Sequence, residues 1–127
     1  MTYTFTEKLK VSFAALALTL SAPAFALSAE DRAICDTLIA DLKSQSALTF
    51  VRNGDEYDAD RAASHLSMKL DYAADDLPDV KSFIEEVASK SSFSGRDYEV
   101  IFPDGHRETA RSYLYRRLKE LYPTYTP

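Results

Sequence analysis

Twice in this chain a β-rich run ends in a glycine turn, and four positions later stands a residue suited to cap a helix: Gly54 then Asp58, and Gly105 then Thr109. The same 51-residue offset relates the two glycines and the two caps. Beyond that spacing the side chains differ, so the pattern reads as two hairpin-then-helix units rather than a duplication. In the first, Leu48 to Arg52 supplies a strand and Asp55-Glu56-Tyr57 its return. Asn53-Gly54 between them tolerates the positive φ that a two-residue type I′ turn demands. In the second, Tyr98, Val100 and Phe102 alternate onto one side of a strand, Pro103-Asp104-Gly105 is a turn signature, and His106 to Glu108 returns.

The rest of the chain is helical in period. Ser28 caps a first helix from about Ala29 to Ser44, with Glu30 and Asp31 in its first turn and Ile34, Leu38 and Leu42 on one stripe. A second helix, from about Ala59 to Asp76, sets Ala59, Ala62, Leu66, Leu70, Ala73 and Leu77 on one face. Pro78 stops it, because proline disfavours helical geometry in the residue before it. A third helix restarts near Asp79 and buries Val80, Phe83, Ile84, Val87 and Ala88. A fourth runs from Thr109 to about Tyr122. The order α–ββ–α–α–ββ–α is an α+β fold, with about four helices packed on a small antiparallel sheet made of two β-hairpins.

The first 26 residues read differently. Lys8 and Lys10 precede an apolar run, Val11 to Leu20, that is too short to span a bilayer, which takes roughly 20 apolar residues. Pro23 then breaks the run, and Ala24-Phe25-Ala26 is a small-x-small cleavage pattern. Residues 1–26 are thus expected to be a signal peptide cleaved after Ala26, residues 27–122 one α+β domain, and residues 123–127 a loose tail. Cleavage leaves no stable membrane span. The whole chain carries a net charge of −5, so it lacks the basic surface of a nucleic-acid binder. Its one cysteine, Cys35, permits neither an internal disulfide nor a cysteine zinc cluster. Cys35 adjoins the apolar stripe of the first helix and is expected to be a buried, inert thiol.

Two blocks of sequence carry a resemblance. One is Phe50-Val51-Arg52-Asn53-Gly54 with Tyr57, Ala59, Ala62-Ala63, His65-Leu66 and Lys69; the other is Ser91-Ser92-Phe93-Ser94-Gly95 with Tyr98, Val100 and Asp104-Gly105. Together they resemble the YfeK-like family of small exported bacterial proteins, a domain of unknown function. The resemblance implies a periplasmic location in a Gram-negative bacterium. It implies no activity and no catalytic residues.

Chemistry-bearing residues collect on the second helix. At 100° per residue, Asp58, His65, Lys69, Tyr72 and Asp76 share one flank of the apolar stripe. This polar edge at the border of the core is the expected ligand or partner site. A structural role competes with it, in which His65 bonds the neighbouring hairpin and Lys69 snorkels over the core. A single histidine beside Lys69 is a poor metal set, and Asp55, Glu56, Asp58 and Asp60 lack the glutamate an EF-hand needs at its twelfth position, here Leu66. No phosphate loop or dinucleotide fingerprint occurs, so no metal and no cofactor is expected. Arg116, Tyr115 and Tyr125, at the basic, tyrosine-rich end of the chain, form a second expected partner surface.

These features point to a periplasmic binding or interaction module without enzymatic activity, whose partner is a periplasmic protein or a small ligand. Two alternatives stand beside it. One is a small periplasmic enzyme using His65 as acid or base with Asp58 or Lys69; the other is a structural or stress-related envelope protein. A deep pocket at His65 favours the enzyme, and a flat or filled boundary favours the module.

Overall fold

The computed structural model describes residues 26–127. The leader expected at residues 1–26 lies, but for Ala26, outside the described residues.

Each helix begins where a side chain answers an otherwise unpaired backbone N–H. Helix α1, Ala29–Lys43, starts on Ser28, whose hydroxyl accepts from the Asp31 N–H at 3.0 Å. Helix α2, Ala59–Ala73, starts on Asp58, which accepts from the Arg61 N–H at 2.8 Å. Asp79 does the same for Ser82 at the start of α3, Val80–Ser82, and Thr109 for Ser112 at the start of α4, Ala110–Leu121.

Two helices depart from the periodic reading. The α-helical part of α2 ends at Ala73 rather than Asp76; its last turn tightens to a 3₁₀ turn, Ala74–Asp76, and Leu77 is extended ahead of Pro78. Helix α3 widens after one turn into a π-helix, Phe83–Ala88. There the buried Ser89 hydroxyl bonds the carbonyl of Ile84, five residues back, and Ser89 in turn accepts the Tyr98 N–H at 2.9 Å.

The hairpins are β1 (Thr49–Arg52) with β2 (Asp55–Tyr57), and β3 (Glu99–Ile101) with β4 (Arg107–Thr109). Asn53 (φ 52°) and Gly54 (φ 85°) both take the left-handed conformation, as the tight turn requires. Strands β1 and β3 also pair antiparallel, Phe50 opposite Val100, so the two hairpins fuse into one four-stranded sheet in the order β2-β1-β3-β4. The α+β architecture read from the sequence is thus the observed one.

Side chains alternate across the sheet, so Phe50 and Val100 enter the core while Val51 lies outside it. Leu38 of α1, Leu70 of α2, Phe83 and Ile84 of the π-helix and Leu114 of α4 complete that core. Burial of each such side chain contributes about 1.5–3 kcal/mol, and no disulfide reinforces it. On α2 the buried alanines are Ala59 and Ala63, whereas Ala62 is only half-buried. Beyond α4, Tyr125 folds back onto the core, its N–H bonding the Tyr122 carbonyl at 3.0 Å.

Candidate functional site

The alternation that buries Phe50 puts Arg52 on the same face, one step nearer the turn. Tyr57, opposite Phe50 on β2, and Tyr98, two residues before Val100, join that face. Helix α2 lies against it and presents His65 and Lys69, one turn apart. Five side chains thereby meet. The Lys69 Nζ donates to the Tyr98 hydroxyl at 3.0 Å and to the Lys90 carbonyl at 3.0 Å. The His65 Nε2 lies 3.2 Å from the same hydroxyl. The Arg52 guanidinium donates to the Tyr57 hydroxyl at 2.9 Å, and its Nη1 lies 3.2 Å from Nδ1 and 3.1 Å from Nε2 of His65.

The imidazole must be neutral in this arrangement. A guanidinium has no acceptor, so the ring has to offer it a bare nitrogen. Either neutral tautomer offers Arg52 a bare nitrogen: Nδ1, with Nε2–H donating to Tyr98, or Nε2, which then also accepts from the Tyr98 hydroxyl. In the first, the Tyr98 oxygen accepts from both His65 and Lys69 and its own proton is uncommitted.

Electrostatics agree with the geometry. Burial, then Arg52, then Lys69 holds the His65 pKa below its ordinary value. Burial, with Arg52 beside it, brings the Lys69 ammonium down to about 8. Burial pushes the Tyr98 phenol up, against the opposing pull of Arg52. No salt bridge reaches Arg52 or Lys69 among the described residues. Asp55, paired with Arg52 across the hairpin, acts on it only at longer range. Five of the other seven arginines, Arg32, Arg107, Arg111, Arg116 and Arg117, each hold a carboxylate at 3.4 Å or closer; Arg61 and Arg96, both exposed, hold none among the described residues.

The cluster borders a cavity of about 450 Å³ between α2 and the sheet. Its apolar walls include Phe50, Leu66, Val100 and Leu114; its polar lining includes Arg52, Tyr57, Arg61, His65 and Tyr98. That volume lies within the range of roughly 300–1,000 Å³ usual for small-molecule pockets. Tyr113, another lining residue, has a buried hydroxyl with no hydrogen-bond partner.

Of the five residues expected to form the site, the structure brings together His65 and Lys69. Asp58 is spent on capping α2. Tyr72 is 92% exposed and borders, with Met68 and Lys69 itself, a second depression of about 330 Å³. Asp76 is exposed in the 3₁₀ turn. The members not singled out from sequence are Arg52, Tyr57 and Tyr98. Their signal was the two-residue alternation with Phe50 and Val100, but it becomes a cluster only once β1 is known to pair with β3.

The second expected surface is engaged internally. Tyr115 donates to Glu85 at 2.8 Å, Arg116 pairs with Glu108 at 2.7 Å and lies over the Phe102 and Tyr113 rings, and Tyr125 packs on the core. Cys35 is wholly buried, and burial pushes its thiol up to about 12. Among the described residues no group of three or more His, Cys, Asp or Glu is placed to hold a metal ion, and no helix is long and apolar enough to cross a membrane.

Comparison with known proteins places these residues in a recognised sequence family. Residues 29–122 match the model of a family of unknown function, DUF5329. The chain is similar to an uncharacterized protein, YfeK, of Salmonella typhimurium, with 38% identity over 90 residues, covering 70% of this chain and 75% of the relative. The YfeK-like resemblance read from the sequence is borne out. No solved structure matches the chain.

Proposed function

The chain belongs to DUF5329, a family of unknown function, so its activity has to be argued from its own site, and we propose that it is a small exported binding module, without enzymatic activity, that holds a small ligand in the cavity between α2 and the sheet. One observation carries this reading. Arg52, His65 and Tyr98 line the polar end of a 450 Å³ cavity, and Lys69 stands behind them, its ammonium on the Tyr98 hydroxyl, with no carboxylate among the described residues paired to Arg52 or Lys69. Half-buried cations are costly unless paired, and the other arginines that are not fully exposed are paired with carboxylates. A site kept open in this way serves a ligand. Export to the periplasm rests on Lys8, Lys10, the apolar run and Ala24-Phe25-Ala26.

A pocket at His65 is the feature that, from the sequence, favours the enzyme over the module, and a neutral imidazole facing the cavity keeps an acid–base enzyme as the second reading. The binding reading is preferred on geometry. Asp58 caps the helix instead of orienting His65, and the thiol of Cys35 is buried away from the cavity lining.

Expression of the full chain in a Gram-negative host, osmotic-shock fractionation and native mass spectrometry test the proposal. The expected result is a periplasmic protein beginning at Leu27 that carries a small-molecule adduct, lost when Ala62→Phe fills the cavity. A bare mass for the gently purified wild type would overturn the module. Chemical alteration of the released molecule by wild type, but not by His65→Gln, would favour the enzyme.

A further inference from the structure

Building on the binding reading, we infer that the ligand is a small amphipathic anion, with one acidic headgroup seated on Arg52, Lys69 and the Tyr98 hydroxyl and an apolar body lying along Phe50, Leu66 and Val100. Two independent observations meet in this assignment.

The first is charge. The chain is acidic overall, yet among the described residues no carboxylate pairs with Arg52 or Lys69. The acids that line the cavity do not cancel these cations. Glu99 is held by Arg107 at 2.9 Å, and Asp60 is exposed in the first turn of α2. Arg61, on the same turn, adds a further positive charge and lies over the Tyr57 ring. The Tyr98 hydroxyl accepts from Lys69 and, with Nε2 of His65 protonated, from His65 as well, which leaves its own proton for an acceptor. An anionic oxygen is the group that a guanidinium, an ammonium and a free O–H jointly recognise.

The second is shape. The cavity does not end at the cations but runs between α2 and the sheet to Val100 and Leu114, both among the most deeply buried side chains. A naked inorganic anion would leave this apolar space empty. A neutral apolar molecule would leave the cations unanswered. A fatty or arylalkyl carboxylate uses both.

Isothermal titration calorimetry of the mature chain, residues 27–127, with decanoate, decanol and inorganic phosphate tests the assignment. Its leader-free state is checked first by a cooperative thermal melt. Decanoate is expected to bind at least tenfold more tightly than decanol, with phosphate showing no heat of binding. Lys69→Met and Arg52→Met are each expected to weaken decanoate at least tenfold and to leave decanol unchanged. A readout on wild type covers variants that misfold. Decanoate stays ionised from pH 7 to 9.5 while Lys69, near 8, gives up its proton. Its affinity therefore falls with rising pH, by up to about 30-fold over that interval.

Equal binding of decanol and decanoate, or a flat pH profile, would overturn the anion while leaving a binding module standing. Phosphate binding as tight as decanoate would overturn the apolar body. Silence from all three, with an adduct still present on the native protein, would overturn the ligand class; silence with a bare native mass would overturn the binding reading itself.

Discussion

The Lys69 ammonium lies 3.0 Å from the Tyr98 hydroxyl, and this bond ties the middle of α2 to the edge of β3. It does so beside the cavity that Tyr98 lines, and Lys69 also reaches the Lys90 carbonyl just beyond the π-helix. One side chain thus fastens three elements. The same bond holds a cation beside His65 and Arg52, so the structural clamp and the electrostatics of the site are one arrangement.

Tyr98→Phe separates the two roles. The ring is buried and keeps its packing, while Lys69 loses one acceptor and His65 its partner. A buried polar group left unsatisfied costs about 1–3 kcal/mol. The expected outcome is a loss of stability of that order with an unchanged m-value, measured by urea unfolding monitored by circular dichroism. A stability equal to wild type would show that water replaces the hydroxyl at no cost and that the bond fastens nothing.

His65 and Lys69 were legible because helical period sets them on one flank with the apolar stripe beside them. Arg52, Tyr57 and Tyr98 were not, because their meeting depends on a β1–β3 pairing between residues about fifty apart in sequence. Tyr72 and Asp76 share the angular sector of His65, but the sheet does not extend beneath them. Angular position on a helix says which side a residue is on; it does not say how far along the helix the neighbour reaches. The caps and the Asn53-Gly54 turn were readable for the opposite reason: their physics is local. The π-helix was not, since the contact at its end joins Ser89 to Ile84 in a geometry that the apolar spacing 80, 83, 84, 87 does not distinguish from an α-helix.

The two blocks that carry the family resemblance touch through Asn53. Its Nδ2 donates to the Ser91 hydroxyl at 3.2 Å, and the Ser94 hydroxyl donates to its side-chain oxygen. Ser91 Oγ also accepts the N–H groups of Phe93 and Ser94. Ser91→Ala is therefore expected to loosen the 91–95 loop from the hairpin and to cost about 1–2 kcal/mol. Hydrogen exchange should speed up at the amides of Phe93 and Ser94 while those of α1 keep their protection. Unchanged exchange in the loop would assign its order to other contacts.

Asp58→Ala tests whether the first acid of the polar edge acts only as a cap. Loss of an N-cap costs about 1 kcal/mol, and asparagine caps as well as aspartate. Asp58→Ala is expected to lower the melting temperature and Asp58→Asn to restore most of it, both binding decanoate as wild type does. A change in affinity at equal stability would bring Asp58 into the site.

Lys69 and His65 give stability a pH signature whose sign follows from their lowered pKa values. In the folded chain Lys69 loses its proton near 8, whereas an unfolded lysine holds it to about 10.4. Between pH 8 and 10 the unfolded state binds more protons, so stability rises with pH across that window. His65 acts in the same direction lower down: its pKa is held below the ordinary value of about 6.5, so acidification through that value favours the unfolded state. Urea midpoints measured from pH 5 to 10 should show a decline below about 6.5 that His65→Gln flattens and a rise above 8 that Lys69→Met flattens. Saturation with decanoate should reduce the upper rise, because the bound carboxylate stabilises the ammonium and returns its pKa towards the unfolded value. A rise above pH 8 that survives Lys69→Met would place its origin elsewhere and remove the electrostatic support for an anion at this site.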